Sequence, residues 1–280
     1  MKAELSYTKM HGAGNSFILT ESLHGELRGA DLHGLALRLC CPETGPGADG
    51  MIVVLPPEGG ADFRMLFFNS DGSLGEMCGN GARCVARYGA EHGLAGNTEN
   101  IRILTDAGLV FGRRITQELY EVRLNDPSVI DLNRSAATEN GPVSCSYIEL
   151  GSPGLPHAVV DVPAGAFDDP DALRERGRAL RRSPSFPKGA NVTFACVTGQ
   201  RSVRAVTFER GVEDFTLACG TGCGATAVSL ILRGLVSGDT VDITMPGGQL
   251  RVTLHADGNS ARDLLLTGPT CVVETGRFSL

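Results

Sequence analysis

Along most of the 280-residue chain, apolar and polar positions alternate in short runs, the period of half-buried strands rather than of helices. Strands are predicted over residues 4–10 and up to Thr20, separated by the glycine turn His11-Gly-Ala-Gly-Asn15. Over residues 31–40 the pattern changes to that of a helix. Strands over 51–55 and 63–68 follow, then a glycine turn, then small and apolar residues at 82–88 that read as a helix. Further strands are predicted over 101–105, 109–115 and 120–124, and the Pro-, Asn-, Asp- and Ser-rich stretch 125–141 reads as a linker. The second half repeats the order. It predicts strands over 147–150 and 158–162 around the turn Gly151-Ser-Pro-Gly-Leu-Pro-His157, then a helix over 168–180. Strands over 191–194 and 203–208, a second glycine turn, a helix over 225–232 and strands over 241–245, 250–255 and 264–267 complete it.

One motif occurs in both halves. Cys78-Gly79-Asn80-Gly81 and Cys219-Gly220-Thr221-Gly222 lie 141 residues apart, half the chain, and each stands between a strand and a helix. A lone Cys-Gly-x-Gly is a chance-level match, but the matched order of elements around both copies is not. The expected fold is α+β, with two pseudo-symmetric domains of like topology. Each is a mostly antiparallel sheet around a central helix, with the active site in the cleft between them. The domains are set at residues 1–125 and 126–280, with residues 268–280 a candidate to pack back on the first.

The motif also carries chemistry. A helix N-terminus presents unpaired N–H groups and a partial positive charge. A cysteine there is expected to titrate below its free value of about 8.5. The same amides can hold a carboxylate, and glycines let a ligand approach the backbone. Two such turns facing each other place two acid/base thiols on opposite sides of one carboxylate-bearing carbon.

Composition narrows the remaining classes. An apolar content of 42% supports a sizeable core, and a net charge of -7 argues against a nucleic-acid partner. The short arginine-rich run 174–182 reads as the solvated face of a helix. Residues 1–11 have no apolar core of a signal peptide, and no run approaches the ~20 apolar residues a membrane span needs. A cytoplasmic protein with no membrane partner is expected. Nine cysteines without a C-x-x-C or neighbouring histidines make a metal site improbable. Cys40, Cys41, Cys145, Cys196 and Cys271 are expected to be small buried hydrophobes. Gly45-Pro-Gly-Ala-Asp-Gly50 matches G-x-G-x-x-G but leads into a strand, the wrong order for a dinucleotide site.

Taken together the motifs resemble the diaminopimelate epimerase family over nearly the whole chain. The resemblance rests on Lys9-Met-His-Gly-Ala-Gly-Asn15, Phe68-Asn-Ser-Asp-Gly72, Glu76-Met-Cys-Gly-Asn-Gly-Ala-Arg-Cys84 and Pro156-His157. Gly189-Ala-Asn-Val192, Glu209-Arg-Gly-Val212, Ala218-Cys-Gly-Thr-Gly222 and Leu266-Thr-Gly-Pro269 extend it. It implies racemisation without a cofactor, by a thiolate that removes an α-proton and a thiol that returns one to the opposite face. By matching positions, Cys78 and Cys219 are that pair, and His157 and Glu209 tune their acidity. Amides of Gly79, Asn80, Gly220 and Thr221 hold the α-carboxylate. Asn69, Asn191, Glu209 and Arg210 bind the distal amino-acid group, and Asn15 falls at a further substrate-binding position. The substrate so implied is a small amino acid with amino-acid groups at both ends, LL-diaminopimelate, and a homodimer is expected. The chain departs from many members of the family at Ser16 and Leu155, and from some at Gly50. The alternative is a racemase of the same fold acting on another amino acid, such as histidine or hydroxyproline. A thiol redox protein is disfavoured by the Cys78/Cys84 and Cys219/Cys223 spacings, and a binding module has no use for two equivalent cysteines.

Overall fold

The computed structural model describes residues 4–75 and 77–279; Glu76 of the first cysteine motif lies outside the described residues, as do the first three residues and the last. The chain forms two compact units. One runs to Val122 and is rejoined from Thr267, and the other is Arg123–Leu266.

In the first unit β1 (Glu4–Gly12) turns back into β2 (Asn15–Glu21), helix α1 (Leu32–Cys40) follows, and β3 (Gly50–Leu55) runs parallel to β2. A parallel neighbour requires a crossover, and α1 supplies it. Asp31 caps that helix, its side chain accepting from the Gly34 amide at 3.0 Å. β4 (Phe63–Asn69) is antiparallel to β3 and folds onto the short β5 (Leu74–Gly75). Helix α2 (Gly79–Glu91) then crosses over to β6 (Ile101–Thr105), which is parallel to β4. β7 (Gly108–Arg114) and β8 (Leu119–Arg123) continue as antiparallel neighbours. Leu35, Ala36 and Leu39 of α1 are buried against Ile18, Met51, Val53 and Phe68, while α2 is buried along nearly all its length. Each such large apolar side chain contributes about 1.5–3 kcal/mol on burial.

The second unit repeats this connectivity. β9 (Pro127–Ala136) and β10 (Val143–Leu150) are antiparallel, and β10 turns into β11 (Leu155–Asp161). A short 3-10 turn and α3 (Pro170–Arg181) cross to β12 (Asn191–Val197), parallel to β11. β13 (Ser202–Phe208) and the short β14 (Phe215–Thr216) lead to α4 (Gly220–Leu232). That helix crosses to β15 (Thr240–Met245), parallel to β13, and β16 (Gly248–Asp257) follows antiparallel. β17 (Ser260–Pro269) and β18 (Cys271–Ser279) end the chain, and β18 pairs antiparallel with β1. β18 therefore stands to β1 as β9 stands to β10. The architecture is the expected pair of α+β domains of like topology.

The linker expected at 125–141 is a correction. Most of it is β9, a strand whose ladder is to β10. Pro127 is its first residue, where a missing N–H costs no ladder bond, and its polar side chains leave it largely half-exposed.

Candidate active site

In the first unit the fold converges on the start of α2. Cys78 is the N-cap of that helix in extended backbone (φ −131, ψ 121), so the amides of Gly79 and Asn80 lie in its first turn, where intrahelical carbonyls do not reach. The β1–β2 turn passes over this helix end. A Cβ on Gly12 would lie 3.0 Å from the Asn80 carbonyl oxygen, so the turn comes this close only because Gly12 has none. Gly81 presses the helix onto the sheet in the same way, its missing Cβ lying 3.1 Å from Ile52 and 3.3 Å from Met65.

Asn15 is thereby brought to the cysteine. Its Oδ1 is 3.7 Å from Cys78 Sγ and accepts from Asn80 Nδ2 at 3.2 Å, while its Nδ2 donates to Asp49 at 3.1 Å. Asn69, at the end of β4 opposite Gly50, donates from Nδ2 to Ser73 Oγ at 2.9 Å. Ser70, next to it, donates its amide to the Asp49 carbonyl at 3.1 Å. Asn15, Asn69, Cys78, Gly79 and Asn80 thus belong to one neighbourhood, joined through Asp49.

In the second unit the sheet does the same for the other residues. His157 on β11 is in register with Asn191 on β12. Asn191 Oδ1 accepts from the Arg210 amide at 2.8 Å, and Arg210 Nη1 donates to the Lys188 carbonyl at 3.0 Å. Glu209, just past β13, accepts from the Thr216 hydroxyl at 2.5 Å and is hydrogen-bonded to Cys219. Cys219 is the N-cap of α4, its Sγ accepting from the Gly222 amide at 3.4 Å with Thr221 Oγ1 at 3.6 Å. The Met245 thioether accepts from the Cys219 amide at 3.5 Å. His157, Asn191, Glu209, Arg210, Cys219, Gly220 and Thr221 are brought together.

The electrostatics of this second cluster correct one expectation. A helix N-terminus alone would lower the Cys219 pKa, and the Gly222 amide acts in that direction. Burial acts more strongly, and the neighbouring Glu209 carboxylate adds to it, so the thiol is pushed well above its ordinary value. Burial also raises Glu209, against the hydrogen bonds from Thr216 and Cys219. Each of the two therefore gives up a proton less readily than it would in water. His157 is fully buried, and neither ring nitrogen has a hydrogen-bond partner among the described residues. Burial, with the Arg210 charge, lowers its pKa to about 3, so the ring is neutral near pH 7.

The remaining cysteines divide. Cys40 and Cys145 are buried as expected, with burial pushing their thiols to about 12 and about 11. Cys41 and Cys196 are only half-buried and Cys271 is exposed, contrary to the expectation of buried hydrophobes. Cys41 lies past the end of α1, its Sγ donating to Glu43 at 2.8 Å, and Cys271 opens β18 on an exposed position. Sequence reading missed Asp49, Thr216 and Met245. Asp49 lies in the G-x-G-x-x-G run, but Thr216 and Met245 carry no signal short of the fold.

Comparison with known proteins bears on the family and the fold. The family model described as Diaminopimelate epimerase matches residues 7–118 and 151–273. Diaminopimelate epimerase of Aquifex aeolicus is 35% identical over 98% of both chains, and that of Archaeoglobus fulgidus is 37% identical over 90% of both. Among solved structures, a hydroxyproline epimerase from Agrobacterium vitis superposes with a TM-score of 0.72 at 22% identity, covering 100% of this chain and 92% of its own, a likeness of fold. By family model and by full-length identity, the chain belongs to the diaminopimelate epimerase family.

Proposed function

We propose that the protein interconverts LL- and meso-diaminopimelate by two-base proton transfer at one α-carbon, an isomerisation serving lysine and cell-wall precursor synthesis. Family membership supports the reaction, and one observation carries the mechanism: in both units a cysteine is the N-cap of the equivalent crossover helix. In this reading one of Cys78 and Cys219, as thiolate, takes the α-proton. The other, as thiol, delivers a proton to the opposite face. The amides of Gly79, Asn80, Gly220 and Thr221 hold the α-carboxylate, so the negative charge developing there meets preorganised dipoles. Glu209 accepts the Cys219 proton when that sulfur serves as base, keeping it inside the buried pair. His157, held neutral near pH 7 by burial and the Arg210 charge, tunes the thiols as an uncharged neighbour. Arg210 pairs with the distal carboxylate, Asn69 and Asn191 complete the distal pocket, and Asn15 is a further substrate position. No cofactor is invoked, and we place the reaction in the cytoplasm, on a homodimer.

The test is incubation of the purified protein with LL-diaminopimelate in deuterated water, following loss of one α-proton signal and appearance of the meso isomer. L-Histidine, L-lysine and L-glutamate serve as parallel substrates. Exchange confined to diaminopimelate supports the reading; exchange confined to another tube refutes the substrate, and silence in all refutes the activity. Cys78→Ala and Cys219→Ala should each abolish epimerisation in a folded protein, and near-normal turnover by either would refute the two-base mechanism.

A further inference from the structure

Four side chains of the first unit form a hydrogen-bonded chain whose direction is fixed at both ends. Arg83 is fully buried on α2 and can only donate; its Nη2 donates to Asn80 Oδ1 at 2.9 Å. That contact turns the Asn80 amide so that Nδ2 faces Asn15 and donates to its Oδ1 at 3.2 Å. At the far end the Asp49 carboxylate serves as acceptor, its Oδ2 taking Asn15 Nδ2 at 3.1 Å. The amide of Asn15 is therefore set from both sides: NH2 toward Asp49, carbonyl oxygen toward Asn80 and Cys78 Sγ, 3.7 Å away. The same Asp49 oxygen accepts from the Ser16 amide at 2.7 Å and hydroxyl at 3.0 Å, which holds the carboxylate still. Gly50, next in the chain, packs against the Phe67 ring, which a Cβ there would approach to 2.7 Å, while Asp49 itself stays exposed.

We propose that Asp49 and Arg83 are positioning residues that hold the two ends of the one-way chain Arg83–Asn80–Asn15–Asp49, pointing the Asn15 carbonyl oxygen at the Cys78 thiol. An oxygen in that place accepts from the S–H group and offers nothing to a thiolate. A turned amide would present N–H instead, and the sulfur would react differently. The G-x-G-x-x-G run, rejected as a dinucleotide site, thus carries the carboxylate that orients the site. The inference builds on the reading of Cys78 as an acid/base group, but its first readout needs no substrate.

Asp49→Ala removes the terminal acceptor and leaves Asn15 free to turn. Alkylation of Cys78 by iodoacetamide, followed at one fixed pH by peptide mapping to separate it from Cys41, Cys196 and Cys271, should rise about threefold or more, and kcat should fall about tenfold with KM little changed. Asp49→Asn keeps an acceptor oxygen in the position that takes all three donors, and should recover most of both. Ser16→Ala deletes one donor to Asp49 without touching the chain, and should leave Cys78 alkylation near the wild-type rate. Should Asp49→Ala fail to fold by circular dichroism, Asp49→Leu, which also lacks an acceptor and is closer in size to aspartate, provides the same comparison. Unchanged Cys78 alkylation in the folded acceptor-loss variant overturns the proposal even if kcat falls. So does a Ser16→Ala effect equal to that of Asp49→Ala, which would mean Asp49 acts through the turn alone. Failure of the diaminopimelate reading would leave the alkylation result standing.

Discussion

His157→Leu isolates the cost of keeping an imidazole neutral inside the second unit. The folded protein holds His157 near a pKa of about 3 because the ring is buried and near Arg210. In the unfolded chain it titrates near 6.5. Between those two values the unfolded chain carries a proton that the folded chain lacks. Acid therefore favours unfolding, and the His157 contribution to stability falls as pH drops from about 6.5 toward about 3. Integrated from pH 7 to pH 5, the loss is about 2 kcal/mol, since each unit of proton imbalance is worth about 1.4 kcal/mol. Leucine fills a similar volume and does not titrate. Glu209, raised by burial, titrates with the opposite sign, but it does so in both proteins and largely cancels from their difference. Urea unfolding of wild type and variant at pH 7 and pH 5 reads the quantity directly. Relative to wild type, His157→Leu should gain about 2 kcal/mol on going from pH 7 to pH 5. A difference that is the same at both pH values would refute the reasoning, because it would mean that His157 takes up its proton in the folded state as easily as in water.

Gly89→Ala tests the contact that seats α2: the new Cβ would lie 2.3 Å from the Phe63 ring, and Phe63 is 1% exposed with no room to yield. Overpacking should cost about 1–3 kcal/mol despite the helix-forming gain of alanine, read as a lowered melting temperature; an unchanged or raised one would refute the close packing. Cys219, buried and with its pKa raised, should react with iodoacetamide near neutrality about tenfold or more slowly than exposed Cys271. If Cys219 were labelled first by peptide mapping, burial would not be the dominant influence on its thiol.

What the sequence made legible follows from how local each signal is. The two cysteine turns stood out because glycines bracket them and an apolar run follows each, all within a few residues. The helices nevertheless begin earlier than predicted, at Gly79 and Gly220 rather than at 82 and 225. Glycine and asparagine are poor helix formers, so propensity argued against those first turns. Packing decides otherwise, since at Gly81 the missing Cβ is what lets α2 meet Ile52 and Met65. β9 and β18 were not predicted as strands for the opposite reason. Most of their residues are exposed or half-buried, so the alternation that marks a one-sided strand is weak.

The chemistry divides along the same line. That Cys219 caps a helix is readable from Cys-Gly-x-Gly, and the local dipole it implies would make a more acidic thiol. The opposing influence is set by partners brought from elsewhere: burial on all sides and the carboxylate of Glu209, ten residues away in the chain and hydrogen-bonded to the sulfur. A dipole of fractional charge cannot offset desolvation of a fully buried thiolate next to a carboxylate, so the long-range influence wins. Asp49 is the counterpart in the first unit. The rule that excluded a dinucleotide site depended only on the order of strand and helix and holds. The use of the same residues depends on Ser16, 33 positions away in the chain, and on a donor chain that begins at Arg83. A sequence motif thus locates each thiol, while the acidity of Cys219 is set by contacts that exist only once the chain has folded.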